Sequence, residues 1–242
     1  MDSIREAKQA VRERVWKLLD QENAAPDGAA GRIPSFVGAD AAAALLAEHS
    51  AWQRATVIKA VPDRAQLPVR ARALEEGKRV YMAASKLAAP KPFYLLDPET
   101  LTIPAREAAE RRTAAKSARP ADLDEMPAVD LIVCGSVAVN YEGVRLGKGA
   151  GYADIEVALL QEAGLIQPHT LIVTTVHELQ IVDESLPEAG HDFRVDLIVT
   201  PDRIIECAPY RRPPGIIWQS LSPEAIAAIP ALAGRRPQAR PK

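Results

Sequence analysis

Apolar and polar positions along the chain follow two different periods. In some segments apolar residues recur every three or four positions, which is typical of amphipathic helices, and in others they form short runs typical of buried strands. The helical period predicts helices over 3–23, 39–49, 67–76 and 153–161. The apolar runs predict strands over 55–61, 79–83, 93–96, 129–139, 171–176, 196–200 and 203–207. Because strands and helices alternate, the pattern indicates an α/β fold with right-handed crossovers and a parallel sheet.

Three further stretches complete the organisation of the chain. Residues 104–120 are basic and helical in composition, and we interpret them either as a solvated helix face or as a lid that contacts a polyanion. A last short helix is predicted with Ser222 as N-cap, Pro223 as its first residue and the apolar positions of 226–232 packed on the body, and the basic tail 234–242 is expected to be disordered. Since the chain contains no internal repeat and no long linker, we expect residues 1–233 to form a single domain.

Composition narrows the class of protein. A hydrophobic content of 48% over 242 residues is sufficient for a core, and a net charge of −2 gives no general attraction to nucleic acid or membrane. Cys134 and Cys207 lie in apolar runs and are expected to be reduced core residues, as in an intracellular protein. Residues 1–20 lack the apolar region of a signal peptide, and no apolar run approaches the length of a membrane span. We therefore expect a cytoplasmic protein, monomeric or homodimeric, without a clear nucleic-acid site.

A glycine-rich segment, 145–154, lies between a predicted strand and a predicted helix. Its chemistry is carried by three glycines, two cations and a carboxylate, which are Gly147, Gly149, Gly151, Arg145, Lys148 and Asp154. Glycine allows backbone N–H groups to turn toward a ligand, and a helix N-terminus offers unpaired donors to an anion. Asp154 is of the type that holds Mg²⁺ together with phosphate and water. The segment therefore predicts a phosphate site, with a plain glycine-rich turn as the alternative.

Two other groups of residues have a possible role in a site. Lys8 and Arg12 are four positions apart on the first predicted helix and so share one face. They are either a solvated basic face or a pair of cations directed at a phosphate. His177 and Glu178 follow the predicted strand 171–176, and in open α/β sheets the carboxyl ends of strands line the ligand crevice. A packing role for His177 and Glu178 remains open.

Two motifs together resemble a known family. Residues 143–154 read G-V-R-L-G-K-G-A-G-Y-A-D, which is similar to the G-x-R-L-G-x-G-x-G-Y-Y-D loop of the 5-formyltetrahydrofolate cyclo-ligase family. Residues 187–200 match that family's second hallmark, P-E-x-x-H-D-x-x-V-D-x-I-x-T. The pair Lys8 and Arg12 matches the Lys-x-x-x-Arg of the family's first helix. The resemblance covers residues 4–207.

The resemblance implies a fold, a reaction and a set of site residues. The fold is a three-layer α/β/α sandwich with a mainly parallel sheet, related to the NagB/RpiA/CoA-transferase group. The reaction is the cyclisation of 5-formyltetrahydrofolate to 5,10-methenyltetrahydrofolate with ATP and Mg²⁺. The implied ATP-binding residues are Lys8, Arg12, Arg145, Gly147, Lys148, Gly149, Gly151 and Asp154, of which Arg145 and Lys148 are the catalytic candidates. Mg²⁺ is assigned to Asp154 and Asp192, and a wall of the substrate pocket to Tyr152.

The chain also departs from the family pattern. Ala153 replaces the second tyrosine of the loop, and no glutamate occurs between Pro62 and Glu75, where the family has one for folate. These features resemble a divergent branch, the methenyltetrahydrofolate synthetase domain-containing proteins, which shares the segments 32–36 and 218–232. Three functions follow as alternatives: a cyclo-ligase, a non-catalytic regulatory protein that binds ATP or folate, and a ligase for another heterocycle, as in thiamine metabolism.

Overall fold

The structure, a computed structural model, describes residues 2–207, 212–233 and 235. The helices are α1 (Asp2–Gln21), α2 (Ala39–Glu48), α3 (Ser50–Arg54), α4 (Leu67–Glu75), α5 (Ala105–Ala108), α6 (Arg111–Ser117), α7 (Tyr152–Glu162), α8 (Pro223–Ala228) and α9 (Pro230–Ala233). The strands are β1 (Val57–Ala60), β2 (Arg79–Ala83), β3 (Phe93–Leu96), β4 (Arg119–Ala121), β5 (Val129–Cys134), β6 (Ala138–Asn140), β7 (Arg145–Leu146), β8 (Ile166–Thr175), β9 (Ile181–Val182), β10 (Leu197–Val199) and β11 (Ile204–Glu206). The predicted helices over 3–23, 39–49, 67–76 and 153–161 and the predicted strands over 55–61, 79–83, 93–96, 196–200 and 203–207 each lie within two residues of an observed element, whereas β8 begins five residues before the predicted strand 171–176.

The large central sheet confirms the predicted α/β class. Its strand order is β11-β10-β8-β5-β1-β2-β3-β4. The inner strands β10, β8, β5, β1 and β2 run parallel to one another, whereas β11, β3 and β4 are antiparallel to their neighbours. Helix α4 lies in the crossover from β1 to β2, and α7 lies in the crossover from β5 to β8.

Two apolar clusters lie on opposite faces of the sheet and produce the three layers. Because side chains alternate along a strand, Ile58 and Ala60 of β1 belong to one cluster, while Val57 belongs to the other. The first cluster packs against α1, α2 and α4. The second packs against α7 and the apolar residues of 216–232. The predicted sandwich of helices on both faces of a mainly parallel sheet is therefore confirmed.

The predicted strand 129–139 is wrong in one respect, because it divides into β5 and β6. The break occurs at Gly135, where an added Cβ would lie 2.7 Å from Ile33 Cγ2, so the chain passes closely beneath that side chain. Beyond it, Ser136 Oγ lies 2.8 Å from Thr174 Oγ1. Strand β6 then leaves the large sheet and pairs with β7 and β9 in a small second sheet. This change of sheet carries the glycine-rich segment out of the core.

The predicted basic helix over 104–120 is also corrected. The segment forms two short helices, α5 and α6, separated by the extended residue Glu110 and followed by the edge strand β4. Ala108, Ala109 and Ala114 are buried beneath them, whereas the basic side chains are exposed. Among the described contacts Arg106 pairs with Asp40, 2.7 Å between Nη1 and Oδ1. The packing is that of a solvated basic face.

The C-terminal part of the fold ends in two short helices instead of one. Ser222 accepts a hydrogen bond from the Ala225 N–H and so caps α8. Ile229 is extended, since the residue before a proline avoids the helical region, and α9 begins at Pro230. The predicted tail lies outside the described residues apart from Arg235. Within the described ranges, no helix is both long and apolar enough to cross a membrane.

Candidate functional site

The glycine-rich segment leads from β7 directly into α7. Gly149 and Gly151 have φ values of +101° and +73°, which residues with a side chain rarely adopt. Gly151 is the N-terminal cap of α7, and no described side chain caps this helix end. The first N–H groups of α7 and the positive end of its dipole are therefore available to an anion.

Helix α1 brings two cations to this loop. Arg12 is largely buried and donates from Nε to the carbonyl oxygen of Gly147 over 2.6 Å. A Cβ added at Gly149 would lie 3.4 Å from Arg12 Nη1, so the guanidinium group rests directly against the loop backbone. Lys8, one turn earlier, forms an ion pair with Asp192. The predicted phosphate-facing pair is thus found beside the predicted phosphate loop.

Arg145 is the most buried cation of the site. Its Nη2 donates to Asp154 Oδ1 over 2.8 Å, and its guanidinium carbon lies 4.2 Å from the ring centroid of Phe193. Burial lowers the pKa of Arg145, but Asp154, Cys134 and Asp192 together outweigh burial and the pKa is raised overall. Arg145 Nε is buried and has no hydrogen-bond partner among the described residues. Such an orphaned donor marks a position where a ligand or water completes the hydrogen bonding.

The two predicted metal ligands each pair with a cation of the site, Asp154 with Arg145 and Asp192 with Lys8. Asp192 Oδ2 accepts from Lys8 and from the backbone N–H of Ala189, the latter over 2.6 Å. The pKa of Arg12 is lowered, first by burial and then by Arg145, while Asp192 and Asp154 act in the opposite direction. The carboxylates of Asp192 and Asp154 are therefore both within electrostatic reach of the Arg12 guanidinium group.

Lys148 connects the site to the central sheet. Its Nζ lies 3.1 Å from Oδ1 of Asp63, which follows β1 at its carboxyl end. Tyr152, the first residue of α7, is half-buried and packs against the second apolar cluster. The structure thus brings Lys8, Arg12, Arg145, Lys148, Asp154 and Asp192 together, whereas the role of Tyr152 stays a prediction.

Three contacts of the site were missed by sequence reasoning. Phe193 packs against the guanidinium group of Arg145. The only sequence signal for this contact was the position of Phe193 directly after Asp192. Asp63 pairs with Lys148, and its place after a strand was a usable signal. Lys59 and Glu156 form a buried ion pair behind the loop. Nothing in the local pattern indicated that pair, because Lys59 lies within an apolar strand.

The structure does not bring His177 and Glu178 into this site. His177 Nδ1 accepts from the Leu179 N–H and caps a 3₁₀ turn, Glu178–Gln180. Glu178 accepts hydrogen bonds from Thr200 and Arg203, with 2.6 Å to Thr200 Oγ1 and 2.9 Å to Arg203 Nη2. Hydrogen bonding from Arg203 lowers the pKa of Glu178. The packing role for both residues, which the sequence left open, accounts for these contacts.

The composition of the site suits a polyanion accompanied by a hard metal ion. Four cations surround the loop, and Arg12 and Arg145 keep their charge at neutral pH. The two carboxylates offer the oxygen ligands that Mg²⁺ prefers, and Mg²⁺ needs only one or two of them beside phosphate and water. Among the described residues no three His, Cys, Asp or Glu side chains gather as a zinc centre would require. The residues present therefore fit Mg²⁺ bound with a phosphate ester.

Comparison with known proteins identifies the family. A model of the 5-formyltetrahydrofolate cyclo-ligase family matches residues 4–201, and the chain therefore belongs to that family. A methenyltetrahydrofolate synthase domain-containing protein of Mus musculus is 37% identical over 237 residues, which are 95% of this chain and 63% of the mouse protein. The corresponding human protein is 35% identical over 236 residues, 95% of this chain and 61% of its own length. The predicted resemblance to this branch is confirmed, and the chain spans less than two thirds of these relatives.

A solved structure supports the fold independently. The NMR structure of Aquifex aeolicus 5,10-methenyltetrahydrofolate synthetase aligns with a TM-score of 0.52 and 18% sequence identity. The alignment covers 85% of this chain and 93% of the Aquifex chain. At this level of identity the likeness demonstrates a common fold and leaves the chemistry to be argued from the site.

Proposed function

We propose that this protein is a Mg-ATP-dependent cyclo-ligase that converts 5-formyltetrahydrofolate to 5,10-methenyltetrahydrofolate. One observation carries the proposal: cations from α1 and from the glycine-rich segment converge on an uncapped helix N-terminus beside two carboxylates. Membership of the cyclo-ligase family supports the same reaction class. The Aquifex protein named above is a 5,10-methenyltetrahydrofolate synthetase, and its fold is shared.

The nucleotide phosphates would occupy the glycine-rich loop. Backbone N–H groups of Gly147, Gly149 and Gly151 would donate to phosphate oxygens, as glycine-rich loops before helices do. Lys8 and Arg12 would add charge-assisted hydrogen bonds from the opposite side. Lys8 would exchange Asp192 for phosphate, and Lys148 would exchange Asp63 for phosphate. These exchanges keep both lysines paired before and after binding.

The reaction itself requires positioning and neutralisation of charge. The formyl oxygen attacks the γ-phosphorus of ATP, and ADP leaves. The N10 amine then attacks the activated formyl carbon, loses its proton, and inorganic phosphate departs with the former formyl oxygen. Arg145 and Lys148 would stabilise the negative charge on the transferred phosphoryl group. Arg145 is held for this by Asp154 and Phe193.

Mg²⁺ would be held by Asp154 and Asp192, where it neutralises phosphate charge when bound. Both carboxylates accept hydrogen bonds from cations in the present structure, Asp154 from Arg145 and Asp192 from Lys8. Release of Lys8 toward phosphate would leave Asp192 for the metal. Two carboxylates agree with Mg²⁺, whose remaining ligands would be nucleotide phosphate oxygens and water.

A second function is favoured by the residues at the positions where the family binds its acceptor substrate. Asp63, in the region where the family has a glutamate, is directed toward Lys148, and Ala153 replaces the second loop tyrosine. A non-catalytic protein that binds ATP or folate and regulates a partner would have these features. A ligase for another heterocycle would retain the phosphate residues and alter the acceptor pocket. In each version we expect the protein in the cytoplasm, where its buried Cys134 and Cys207 stay reduced.

One experiment tests the cyclo-ligase against the two other functions. Protein, Mg-ATP and 5-formyltetrahydrofolate are incubated together, and ADP release and methenyl absorbance are followed in the same sample. Equal amounts of ADP and methenyl product are expected. ADP release without methenyl product would favour another acceptor. Neither product, combined with heat of Mg-ATP binding in calorimetry, would favour the regulatory protein or a ligase for another heterocycle over the cyclo-ligase. The absence of both turnover and Mg-ATP binding would contradict both ligase functions and a regulatory protein that binds ATP.

A further inference from the structure

Lys59 and Glu156 form an ion pair in the centre of the fold. The two residues are 0% and 4% exposed, and Lys59 Nζ donates to Glu156 Oε2. Lys59 lies in β1, which is paired between β5 and β2 in the parallel region, and its side chain points to the face that α7 covers. Glu156 lies in α7, two residues after Asp154. Burial raises the pKa of Glu156, and Lys59 opposes that shift.

Stability alone is a weak reason for such a pair. Removing two charges from water costs more than their attraction returns in many proteins, and apolar residues of similar volume are often at least as stable there. The pair also departs from the surrounding composition, since Val57, Ile132 and Ile155 nearby belong to the apolar cluster. An apolar contact at this place would not fix the orientation of α7 relative to β1.

The pair connects the same two segments as a second ion pair at the site. The segment 59–63 contributes Lys59 and Asp63, and the segment 148–156 contributes Lys148 and Glu156. The charges are reversed between the two contacts. Segment 59–63 supplies the cation of the buried pair and the carboxylate of the partly exposed pair. Glu156 is within electrostatic reach of Asp63 and Arg145 as well. The buried contact therefore lies beneath the exchangeable one.

We propose that Lys59 and Glu156 are a positioning pair that holds the glycine-rich loop and the start of α7 in register with the end of β1. The surface pair of Lys148 and Asp63 must open when Lys148 turns to phosphate. The buried pair has no such competitor and keeps the loop in place while that exchange occurs. Its role rests on the proposed nucleotide function of the loop, which it supports without touching substrate.

The test uses the full chain and four proteins: wild type, Lys59→Met with Glu156→Leu, Glu156→Gln, and Val57→Ala. The double variant replaces the pair by apolar groups and is expected to fold with wild-type stability or better. Val57→Ala is the matched control, because Val57 is buried on the same face of β1 but farther from the loop and its truncation leaves a cavity. Denaturant unfolding of each protein measures stability.

The deciding readout is amide hydrogen exchange of residues 147–153 in the absence of ligand. In the double variant we expect these amides to exchange about tenfold faster, within the range by which remote changes alter coupling. Exchange in β5 and β8 should be unchanged. The proposal is overturned if the stable double variant exchanges its loop as wild type does. If the double variant does not fold, Glu156→Gln takes its place, and loop exchange no faster than in Val57→Ala overturns the proposal.

A second readout links the pair to the nucleotide. Calorimetry with Mg-ATP is expected to give a dissociation constant about tenfold weaker in the double variant than in wild type, since small misplacement of binding groups is costly. An unchanged constant together with unchanged exchange would assign the pair to the core alone. Failure of wild type to bind Mg-ATP would contradict the proposed function, whereas the hydrogen-exchange result would still decide the positioning role.

Discussion

Lys8 Nζ pairs with the carboxylate of Asp192, although the two residues are 184 positions apart. Both side chains are mostly buried, at 12% and 10% exposure. The contact holds helix α1 beside the glycine-rich loop. It also joins a predicted phosphate ligand to a predicted metal ligand, so each keeps the other paired in the absence of a ligand.

Replacement of Lys8 by methionine should therefore weaken nucleotide binding. Loss of a hydrogen bond to a charged group costs about 1.5–3 kcal/mol, so the dissociation constant for Mg-ATP should rise by about 10- to 100-fold. Calorimetry measures this directly. Lys17→Met, on the exposed face of the same helix, is the control and should bind as wild type does. Equal affinity in both variants would remove Lys8 from the site.

Gly149 tests the close approach of the loop to Arg12. Alanine at φ +101° should destabilise the protein by about 1–2 kcal/mol, and its Cβ would lie 3.4 Å from Arg12 Nη1. We expect Mg-ATP affinity to fall by more than tenfold. Gly77→Ala is the control, because Gly77 has φ +77° with nothing within 4 Å and lies at the end of α4. A similar loss of affinity in both variants would mean that backbone strain, not the site, causes the effect.

Substitution of Asp63 by asparagine should act in the opposite direction. The Lys148–Asp63 pair is partly exposed, at 44% and 21%, and such pairs contribute about 0.2–1 kcal/mol. Because asparagine no longer competes for Lys148, Mg-ATP should bind up to about fivefold more tightly. Asp27→Asn removes a comparable surface pair with Arg64 and should leave affinity unchanged. Weaker binding in Asp63→Asn would show that this carboxylate contributes to nucleotide binding.

Glu178 provides a test of pH dependence outside the site. Its pKa is lowered from 4.5, chiefly by the hydrogen bond from Arg203, so its stabilising contribution is present above that value and is lost as the pH falls. Glu178→Gln should thus unfold more easily than wild type at pH 7, by a small amount because solvent screens the pair. Urea titrations should show the difference disappearing in acid. Mg-ATP affinity should stay at the wild-type value, and a loss there would return Glu178 to the site.

Much of the fold could be predicted because its signals are local. The apolar runs of β1, β2 and β3 and the helical period of α1 and α4 determine structure without reference to distant residues. The division of the strand 129–139 was not predicted, and the close approach of Ile33 to Gly135 at the break joins residues about 100 positions apart that no local pattern connects. The break at Glu110 is likewise invisible in composition, because the sequence around it is uniformly compatible with a helix.

Part of the candidate site could be predicted from the sequence, and part of it could not. The glycine-rich loop and Lys8 and Arg12 were found through spacing and family resemblance, and the structure brings them together. The Lys59–Glu156 pair was not found, because its members are 97 positions apart and a lysine inside an apolar run gives no sign of its partner. The contact between Arg145 and Phe193 is of the same kind, since it arises only from tertiary packing.

The most direct test of the central claim is the formation of 5,10-methenyltetrahydrofolate by wild type and by Asp154→Asn. Methenyl absorbance is followed after mixing protein with Mg-ATP and 5-formyltetrahydrofolate. We expect product from wild type, and a rate lower by about 100-fold or more in Asp154→Asn, because its neutral side chain loses the charge that holds Arg145 and would hold Mg²⁺. Asp40→Asn, which removes an exposed pair with Arg106, should retain wild-type activity. Absence of product from wild type, or equal rates in wild type and Asp154→Asn, would contradict the account.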